Sequence, residues 1–356
     1  MTPPPTRVLH VLQTLDQASG GVAAVGSRLA AEQRRAGWDV RVLAARRTAP
    51  DVRPRLAAAV RAADCLHLHG VWDAIVYRAA RAAQRGGRPY VMTPHGMLDP
   101  WSLAQKPRKK RLALALGYRK VLDRAAALIA LHADEAAAFR SLGLRAPVAV
   151  VPNAVALPAD EPDPAAFRRT VPGLGDRPYV LFLGRLHHKK GLDHLAEAFA
   201  QTARVAPEAR LVVAGPDEGA RRDFEAAVAA AGLSERVHLV GTLLGAAKWG
   251  ALAGASCFCL PSRQEGFSVA VLEALACRTP VVISPECHFP EVESAGAGYV
   301  VPRDPAAIAL ALAKLIADKN LRTSLGAAGR RLVEARYTWD EVVALTGSVY
   351  AAAGAG

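Results

Sequence analysis

Short runs of apolar residues alternate along this chain with longer segments in which apolar residues recur at helical spacing. The short runs, rich in valine and leucine, are typical of strands buried on both faces of a parallel sheet. The alanine-rich segments between them are typical of helices that cover such a sheet. The pattern therefore predicts two successive series of alternating strands and helices, each of the Rossmann-like kind.

The first series ends near residue 155, and its elements can be placed from the pattern. Strands are predicted at 6–13, 39–45, 65–70, 89–96, 127–132 and 148–152, and helices at 20–37, 55–63, 73–86, 103–124 and 134–142. Residues 156–177 are rich in Pro, Asp and Gly and are interpreted as a connection with one short helix. The second series runs from Tyr179 to about Ala335, and a final helix is predicted at 338–353.

Length and composition favour two ordinary domains. The 356 residues are 51% apolar, which is enough for two cores. No apolar run approaches twenty residues without a charge, and the N-terminus lacks the layout of a signal peptide, so neither a membrane span nor a leader is expected. The five cysteines include Cys257, Cys259 and Cys277 in predicted core elements, which favours reduced thiols in a cytoplasmic protein. We expect no metal at Cys257 and Cys259, because no Cys/His partner pair lies nearby.

The charge of +13 is concentrated in the first half of the chain. Residues 1–176 contain 26 Lys and Arg against 14 Asp and Glu, a net of +12, and the remainder contains 19 against 18, a net of +1. A local cluster stands out in residues 106–120, where cations lie beside an apolar stripe. Its members are Lys106, Arg108, Lys109, Lys110, Arg111, Leu112, Leu114, Leu116 and Tyr118. This composition fits an anionic membrane surface, the phosphates of an acceptor, or a solvated helix whose leucines enter the core.

Residues 261–284 are the most informative stretch, because they predict a strand end, a loop, a helix and a further strand. The loop contains Glu265, and the helix contains Glu273 eight positions later. Ser268 is placed to cap the helix, whose free N–H groups would suit a phosphate. Two such glutamates often belong to a solvated helix face. Here they lie in a strongly apolar context, where an unpaired carboxylate is costly, so a ligand-binding role is favoured.

These segments together resemble the retaining glycosyltransferases of family 4, which have the GT-B fold. Glu265 and Glu273 match the Glu-x7-Glu signature, and five further groups of motifs occur in the family's order over nearly all of the chain. They are GGVAAVGSRLA at 20–30, HLHGVWD and TPHGMLDPW at 67–73 and 93–101, VVPNAV at 150–155, LFLGRLHHKKGLDHLAEAF at 181–199, and LVVAGP and VHLVG at 211–216 and 237–241. The resemblance implies an α/β fold of two Rossmann-like domains facing a central cleft.

The resemblance also implies a division of labour. Residues 1–155 with a returning C-terminal helix at about 337–356 would bind the acceptor, 156–177 would connect the domains, and 178–336 would bind the nucleotide sugar. Arg185 and Lys190 would stabilise the diphosphate, Glu273 the ribose, and Glu265 the transferred sugar. His95 would contact the donor sugar or phosphate. The remaining donor contacts implied by the family are Gly20, Gly21, Thr242, Leu243, Leu244, Gly266, Phe267 and Ser268.

Other candidates receive a weaker interpretation from their positions. Lys189 fits a surface lysine. His67 and His69 alternate along one strand, and packing or acceptor contact is expected for them rather than a metal site, since no third ligand is visible. The role of His132 is open. Ser268 departs from relatives that have Gly at this position, so the donor geometry is expected to differ there.

The resemblance thus implies a retaining glycosyltransferase that needs no cofactor and no metal, and the sequence contains no Asp-x-Asp. The expected substrates are a UDP- or GDP-sugar and a glycan or lipid-linked acceptor, used in assembling exopolysaccharide or lipopolysaccharide at the inner face of the bacterial plasma membrane. Two alternatives stay open. One is a nucleotide-sugar epimerase of the same fold. The other is a basic nucleic-acid-binding protein, which the 6% aromatic content disfavours.

Overall fold

A computed structural model describes residues 7–16, 21–44 and 52–354 of the chain. The chain forms two compact units, Met1–Ala154 together with Trp339–Gly356, and Val155–Thr338. No helix among the described residues is both long enough and apolar enough to cross a bilayer.

The first unit is built on a parallel sheet of six strands in the order β2-β1-β3-β4-β5-β6. The strands are β1 Arg7–Leu12, β2 Asp39–Ala44, β3 Cys65–His69, β4 Tyr90–Thr93, β5 Ala127–Ala130 and β6 Val148–Val150. The helices are α1 Gly21–Arg35, α2 Val52–Ala62, α3 Ala74–Arg85, α4 Pro100–Ala104, α5 Pro107–Ala113, α6 Arg119–Asp123, α7 Ala133–Ser141 and, from the C-terminus, α16 Trp339–Ala352.

The second unit repeats this plan with a parallel sheet in the order β12-β11-β10-β7-β8-β9. Its strands are β7 Tyr179–Leu183, β8 Arg210–Ala214, β9 Val237–Gly241, β10 Cys257–Leu260, β11 Val281–Ile283 and β12 Gly298–Val300. Its helices are α8 Pro164–Thr170, α9 Leu192–Val205, α10 Arg221–Ala230, α11 Gly245–Ala253, α12 Val269–Ala276, α13 Glu291–Ser294, α14 Pro305–Ala317 and α15 Lys319–Arg336.

The central strands explain why the apolar runs predicted the sheets so well. Every residue of β3 and every residue of β10 is buried. A strand in the middle of a covered parallel sheet has both faces in the core, so its sequence is apolar without alternation. Cys65, Cys257, Cys259 and Cys287 are buried free thiols, and burial raises the pKa of the Cys257 thiol to about 12.

The prediction of one continuous helix at 103–124 is wrong. The chain instead forms α4, α5 and α6, with a π-helical turn at Leu114–Tyr118 between the last two. Lys106 has a left-handed backbone with φ 54°, which separates α4 from the proline that starts α5. Gly117 has φ 123° and breaks the helical geometry, and a Cβ there would lie 2.8 Å from Oη of Tyr77. Glycine is the residue that tolerates this backbone and this close approach.

The last helix, α16, belongs to the first unit, where it packs against α1. Tyr350 of α16 is fully buried, and its ring meets that of Trp38 edge-on at 5.9 Å between centroids. The amide Nε2 of Gln33 on α1 donates to Oη of Tyr350 at 3.3 Å. A segment more than three hundred residues along the chain thus completes the interior of the first unit.

A close approach of two loops fixes the carboxyl edge of the second sheet, and it can be tested at a glycine. Gly191, between β7 and α9, has φ 69°, and a Cβ there would lie 2.0 Å from the carbonyl oxygen of Pro261. Gly232 has nearly the same φ, 68°, but nothing lies within 4 Å of its Cβ position. Gly232→Ala should therefore lower the free energy of unfolding only by the cost of a left-handed backbone at alanine, about 1–2 kcal/mol.

Gly191→Ala should lower the free energy of unfolding by about 1–3 kcal/mol more than the Gly232→Ala control does, because the Pro261 carbonyl must also move. Urea denaturation of the two variants and the wild-type chain measures the difference. Equal losses in free energy of unfolding would show that the two loops are free to separate.

Candidate active site

An ion pair between a buried glutamate and a partly buried lysine lies where β7 and β10 end. Lys190 closes the short helical turn after β7, and its Nζ lies 2.5 Å from Oε1 of Glu265, which is in the loop after β10. Ser262 donates its hydroxyl to the same oxygen at 2.5 Å. The two charged side chains are only 15% and 9% exposed. The carboxyl edge of a parallel sheet is where ligands bind in open α/β folds, so both charges lie where chemistry is expected.

Further contacts hold these two loops together. The guanidinium of Arg263 makes two hydrogen bonds to Asp193 at the start of α9, at 2.7 and 2.6 Å, and donates to the carbonyl of His188 at 2.9 Å. The hydrogen bond from Arg263 lowers the pKa of Asp193 to about 2. Lys189 donates to Oε1 of Gln264 at 3.1 Å. Lys189 is therefore part of this loop contact and is not a plain surface lysine.

Arg185 lies in the same loop as Lys190 but has a different partner. Its Nη1 lies 2.7 Å from Oε2 of Glu218. The side chain of Arg185 is 46% exposed and that of Glu218 is 36% exposed. An ion pair this exposed contributes little to stability. Arg185 is thus held near the carboxyl end of β7 without being locked there, and its guanidinium keeps donors available.

Glu273 projects from α12 and pairs with a lysine that the motifs did not single out. Its Oε1 lies 2.6 Å from Nζ of Lys248 on α11, and the Lys248 ammonium stands 4.7 Å from the centroid of the Trp249 ring. Burial raises the pKa of Glu273, and Lys248 partly offsets the shift. The only sequence signal for Lys248 is its place one turn after the predicted loop 242–244.

The loop between the two glutamates departs from expectation at one residue. Ser268 stands at the N-cap of α12, but its hydroxyl makes no capping hydrogen bond, so the predicted side-chain cap is wrong. The ring of Phe267 packs against Phe289 at 4.9 Å and Tyr337 at 5.8 Å between centroids. Phe267 therefore serves the core through its side chain, and Gly266 precedes it in the same loop. This packing orients the start of α12.

The residues expected at the nucleotide base form an exposed loop. Thr242, Leu243 and Leu244 connect β9 to α11 at the carboxyl edge, and Leu244 is 75% exposed. In the first unit, Gly21 is exposed at the first residue of α1, and Gly20 lies outside the described residues. Thr242, Leu244 and Gly21 are exposed and therefore accessible to a ligand.

His95 follows β4 and is held by a carboxylate from another helix. Its backbone is left-handed, with φ 56°. The buried Glu135 accepts the amide of the next residue, Gly96, on Oε1 and the amide of Leu131 on Oε2, both at 2.7 Å. Burial raises the pKa of Glu135 to about 7, although both amides favour its charged form. Glu135 therefore ties the turn after β4 to the end of β5 and fixes the backbone at His95.

His132 receives a role from the structure that the sequence left open. It is the N-cap of α7, and its Nδ1 accepts the amide hydrogen of Glu135 at 3.2 Å. Because Glu135 in turn holds the turn at His95, His132 helps to place that turn from a distance.

His67 and His69 are buried in a cluster with His10. His67 contacts Oη of Tyr350 at 2.6 Å and Oγ1 of Thr93 at 2.7 Å. His69 contacts His10 at 2.9 Å and His95 at 3.1 Å. Both residues are packed in the interior as expected, but the absence of a third ligand predicted from the sequence is wrong, because His10 on β1 lies beside them. His69 also contacts His95. A cavity of about 20 Å³ lies beside His67, His69 and His95, which is room for about one water molecule.

Comparison with known proteins agrees with this architecture. The family model for glycosyl transferases group 1 matches residues 166–332, and the glycosyl transferase 4-like domain matches residues 47–154. Among curated relatives, the D-inositol 3-phosphate glycosyltransferase of Xylanimonas cellulosilytica is 32% identical over 290 residues, which are 76% of this chain and 68% of that protein. The GDP-mannose-dependent monoacylated alpha-(1-6)-phosphatidylinositol monomannoside mannosyltransferase of Corynebacterium glutamicum is 27% identical over 275 residues, 74% of this chain and 70% of that protein.

A third relative is the lipopolysaccharide core biosynthesis mannosyltransferase LpcC of Rhizobium leguminosarum, 30% identical over 240 residues, which are 65% of this chain and 66% of that protein. Among solved structures, sucrose-phosphate synthase from Thermosynechococcus elongatus has a TM-score of 0.78 at 21% identity, covering 97% of this chain and 98% of that one. Anabaena HepE in complex with UDP-glucose also has a TM-score of 0.78, at 18% identity, covering 97% and 99%.

Two Rossmann-like units of this topology match a solved structure of the GT-B fold, and the family models together with the relative at 32% identity define a glycosyltransferase. The chain belongs to glycosyltransferase family 4, which confirms the family and fold predicted from the motifs. Neither alternative from the sequence, an epimerase or a nucleic-acid-binding protein, finds support among these relatives.

The pairing of Lys190 with Glu265 makes a prediction about stability. Lys190→Met should remove the cation and leave a buried carboxylate without its partner, which costs about 3 kcal/mol. Lys319→Met, at an exposed lysine of α15, is the control for the same chemical change. The double variant Lys190→Met with Glu265→Gln should recover much of the loss, because no buried charge then remains. Urea denaturation that shows equal, small losses for both single lysine variants would contradict the structural coupling of Lys190 and Glu265.

Proposed function

We propose that this enzyme transfers a sugar from a UDP- or GDP-sugar to a glycan or lipid-linked saccharide in cell-surface polysaccharide assembly. Transfer occurs with retention of anomeric configuration and without a metal ion. The observation that carries this proposal is the Lys190–Glu265 pair at the carboxyl edge of the second sheet, at 2.5 Å and largely shielded from water. A cation held in this way is ready to meet the charge that develops on a leaving diphosphate.

The second unit is assigned the donor, and its side chains divide the work. Lys190 and Arg185 meet the diphosphate, so that the shielded ammonium of Lys190 and the more exposed guanidinium of Arg185 supply the positive charge that a divalent ion supplies elsewhere. Glu265, next to Lys190, accepts hydrogen bonds from the transferred sugar. Glu273 on α12 accepts from the ribose hydroxyls, and the amides of Gly266 to Ser268 face the phosphate or sugar at the start of that helix.

The first unit is assigned the acceptor, with one contribution to the donor. His95 is fixed at the carboxyl end of β4 by Glu135 and contacts the donor sugar or phosphate. Gly21, at the exposed start of α1, gives a ligand close access to the backbone. Activity in excess chelator, with the anomeric configuration of the product read by proton NMR, tests the metal-free and retaining parts of this proposal.

The relatives support a nucleotide-sugar donor and a surface glycan or glycolipid acceptor. The Corynebacterium enzyme is named for GDP-mannose and a phosphatidylinositol mannoside, and the Rhizobium enzyme for lipopolysaccharide core. HepE was solved with UDP-glucose. Because both bases occur among these proteins, a panel of UDP- and GDP-sugars is the appropriate assay.

Glu273 provides a prediction about binding. Glu273→Gln should weaken free nucleotide and nucleotide sugar alike, by roughly 10- to 100-fold, because the ribose is common to both and a hydrogen bond to a charged acceptor is worth about 1.5–3 kcal/mol. Isothermal titration calorimetry measures both affinities. Glu197→Gln, on the exposed face of α9, is the control for the same chemical change. Unchanged nucleotide affinity in Glu273→Gln would remove Glu273 from the donor site.

We further propose that the basic segment at 106–120 contacts an anionic bilayer at the inner face of the plasma membrane, where lipid-linked acceptors would lie. Four of the five clustered cations at 106–111 are exposed. The fifth, Lys110, lies over the ring of Trp72 at 5.4 Å and donates to the carbonyl of Ser102. Leu114 and Tyr118 pack against the core, but Leu112 and Leu116 are 59% and 70% exposed. Exposed leucines beside exposed cations favour a membrane surface over a solvated helix face.

The membrane proposal predicts salt-dependent sedimentation with vesicles. Each of the four exposed cations contributes about 1 kcal/mol near an anionic surface, and salt screens this over about 10 Å at 0.1 M. The protein should pellet with anionic vesicles at low salt and be released by high salt or by Leu112→Ser with Leu116→Ser. Leu310→Ser on α14, where Leu310 is 61% exposed, is the control. Equal recovery with neutral and anionic vesicles would assign the segment to an acceptor phosphate or to solvent.

A further inference from the structure

Two chains of buried hydrogen bonds start at the side-chain amide of Gln33 and end at Thr93 and His95, which are two residues apart. In the first chain, Oε1 of Gln33 lies 2.7 Å from Nε2 of His10, Nδ1 of His10 lies 2.9 Å from Nε2 of His69, and Nδ1 of His69 lies 3.1 Å from Nε2 of His95. Gln33, His10 and His69 are almost completely buried. The chain runs from α1 through β1 and β3 to the turn after β4.

The second chain leaves the nitrogen of the same amide. Nε2 of Gln33 donates to Oη of Tyr350 at 3.3 Å, that hydroxyl lies 2.6 Å from Nδ1 of His67, and Nε2 of His67 lies 2.7 Å from Oγ1 of Thr93. Thr93 and His95 flank Pro94 and both line the small cavity beside the cluster. The two chains therefore converge on one side of the turn that carries His95.

Each imidazole in these chains is neutral at pH 7. Burial lowers the pKa of His10 and of His95 to about 4, and it lowers the pKa of His67 and His69 well below the ordinary value. A neutral imidazole carries one ring proton, so one nitrogen donates and the other accepts. The location of each proton then follows from the partner at the start of the chain.

An amide oxygen accepts hydrogen bonds and does not donate them, so Nε2 of His10 carries the proton toward Gln33. Nδ1 of His10 is then an acceptor, which requires the proton of His69 on Nε2. Nδ1 of His69 is in turn an acceptor, which requires the proton of His95 on Nε2. His95 is left with a lone pair on Nδ1, and no hydrogen bond to that atom was found among the described residues.

The second chain is satisfied by the same amide orientation. Tyr350 accepts from Gln33 and donates to Nδ1 of His67, and Nε2 of His67 then donates to Thr93. Turning the amide of Gln33 over would invert both chains together and would place a proton on Nδ1 of His95. Gln33 is thus the group whose orientation sets the proton order of all four histidines.

A metal ion is a weaker interpretation of this cluster. Ligand atoms of His10, His67 and His69 lie within 4.8 Å of one another, as a metal site requires. However, both ring nitrogens of each of these histidines already have a hydrogen-bond partner. A metal would have to displace partners that are themselves buried, and unsatisfied buried polar groups are costly.

We propose that Gln33, His10 and His69 are positioning residues that fix His95 as the Nε2–H tautomer, so that its Nδ1 accepts a hydrogen bond from a hydroxyl of the donor sugar and does not bind the diphosphate. This inference rests on the proposed role of His95 toward the donor. An unprotonated Nδ1 can accept a hydrogen bond from a hydroxyl but has no proton to donate to a phosphate oxygen. The chain of hydrogen bonds therefore selects the class of group that His95 contacts.

The test is nitrogen-15 NMR of the full-length protein labelled at histidine, with each ring assigned from single histidine variants. In the wild-type chain at pH 7, His95 should show a protonated Nε2 and a bare Nδ1. In Gln33→Met, which keeps the length of the side chain but loses the amide, His95 should populate both tautomers. In Tyr350→Phe only the second chain is cut, so His95 should keep its tautomer while His67 changes.

Gln84→Met is the control, because Gln84 also bonds a tyrosine, Tyr90 at 2.8 Å, but belongs to neither chain. With a nucleotide sugar that the enzyme uses as a substrate, Gln33→Met should lower kcat/KM for transfer about tenfold, the value of one lost hydrogen bond. The affinity for free UDP or GDP should be unchanged. A proton on Nδ1 of His95 in the wild-type protein, or an unchanged His95 tautomer in Gln33→Met, would overturn the inference. Because the NMR result needs no substrate, it stands apart from any failure of the proposed transfer reaction.

Discussion

The pairing of Lys190 with Glu265 is the interaction on which the donor side of the molecule depends. A charged group shielded from water must be compensated, and these two side chains compensate each other at the ends of two neighbouring strands. The pair therefore determines how the loop after β7 and the loop after β10 can lie. Arg263 reinforces the arrangement through Asp193, and the contact of Gly191 with the Pro261 carbonyl leaves no room between the loops. A cation in so constrained a place has little reorganisation left to undergo when charge develops near it.

The first unit solves a similar problem with neutral groups. Its strands bring four histidines together, where charging any of them would be costly, and hydrogen bonds to Gln33, Tyr350 and Thr93 satisfy the rings instead. Glu135 is a fully buried carboxylate beside this region, and it accepts two backbone amides. One unit thus offers fixed charge at its sheet edge, and the other offers a fixed pattern of hydrogen bonds.

The sequence could predict the sheets, and it could single out candidate site residues, because these signals are local. Apolar runs such as that of β10 mark buried strands, and Glu265, Glu273 and Lys190 lie within recognisable motifs. The helix at 103–124 was misjudged because alanine and leucine favour a helix throughout, whereas Gly117 and the left-handed Lys106 break it. The side-chain cap predicted for Ser268 is wrong: Ser268 does stand at the N-cap position, but its hydroxyl makes no capping hydrogen bond.

Contacts between distant parts of the chain could not be predicted from local pattern. Gln33 and Tyr350 are separated by 317 positions, and nothing near either residue indicates the other. The partner of Glu273 is Lys248, the one charged residue of α11, and nothing in that helix sequence indicates a carboxylate partner. The first turn of α7 brings the His132 ring close to the backbone amide of Glu135, which donates a hydrogen bond to Nδ1 of His132. Such partners follow from the order of strands in the sheet, which becomes visible only when the chain is folded.

The central claim is that the second unit binds a nucleotide sugar through fixed cations. The most direct measurement is thermal or urea unfolding of the purified protein with a panel of UDP- and GDP-sugars in excess chelator. A ligand present at 100 times its dissociation constant should raise the free energy of unfolding by about 2.7 kcal/mol. We expect such a shift with at least one nucleotide sugar, undiminished by chelator. The absence of a shift with every donor, or a shift abolished by chelator, would contradict the account.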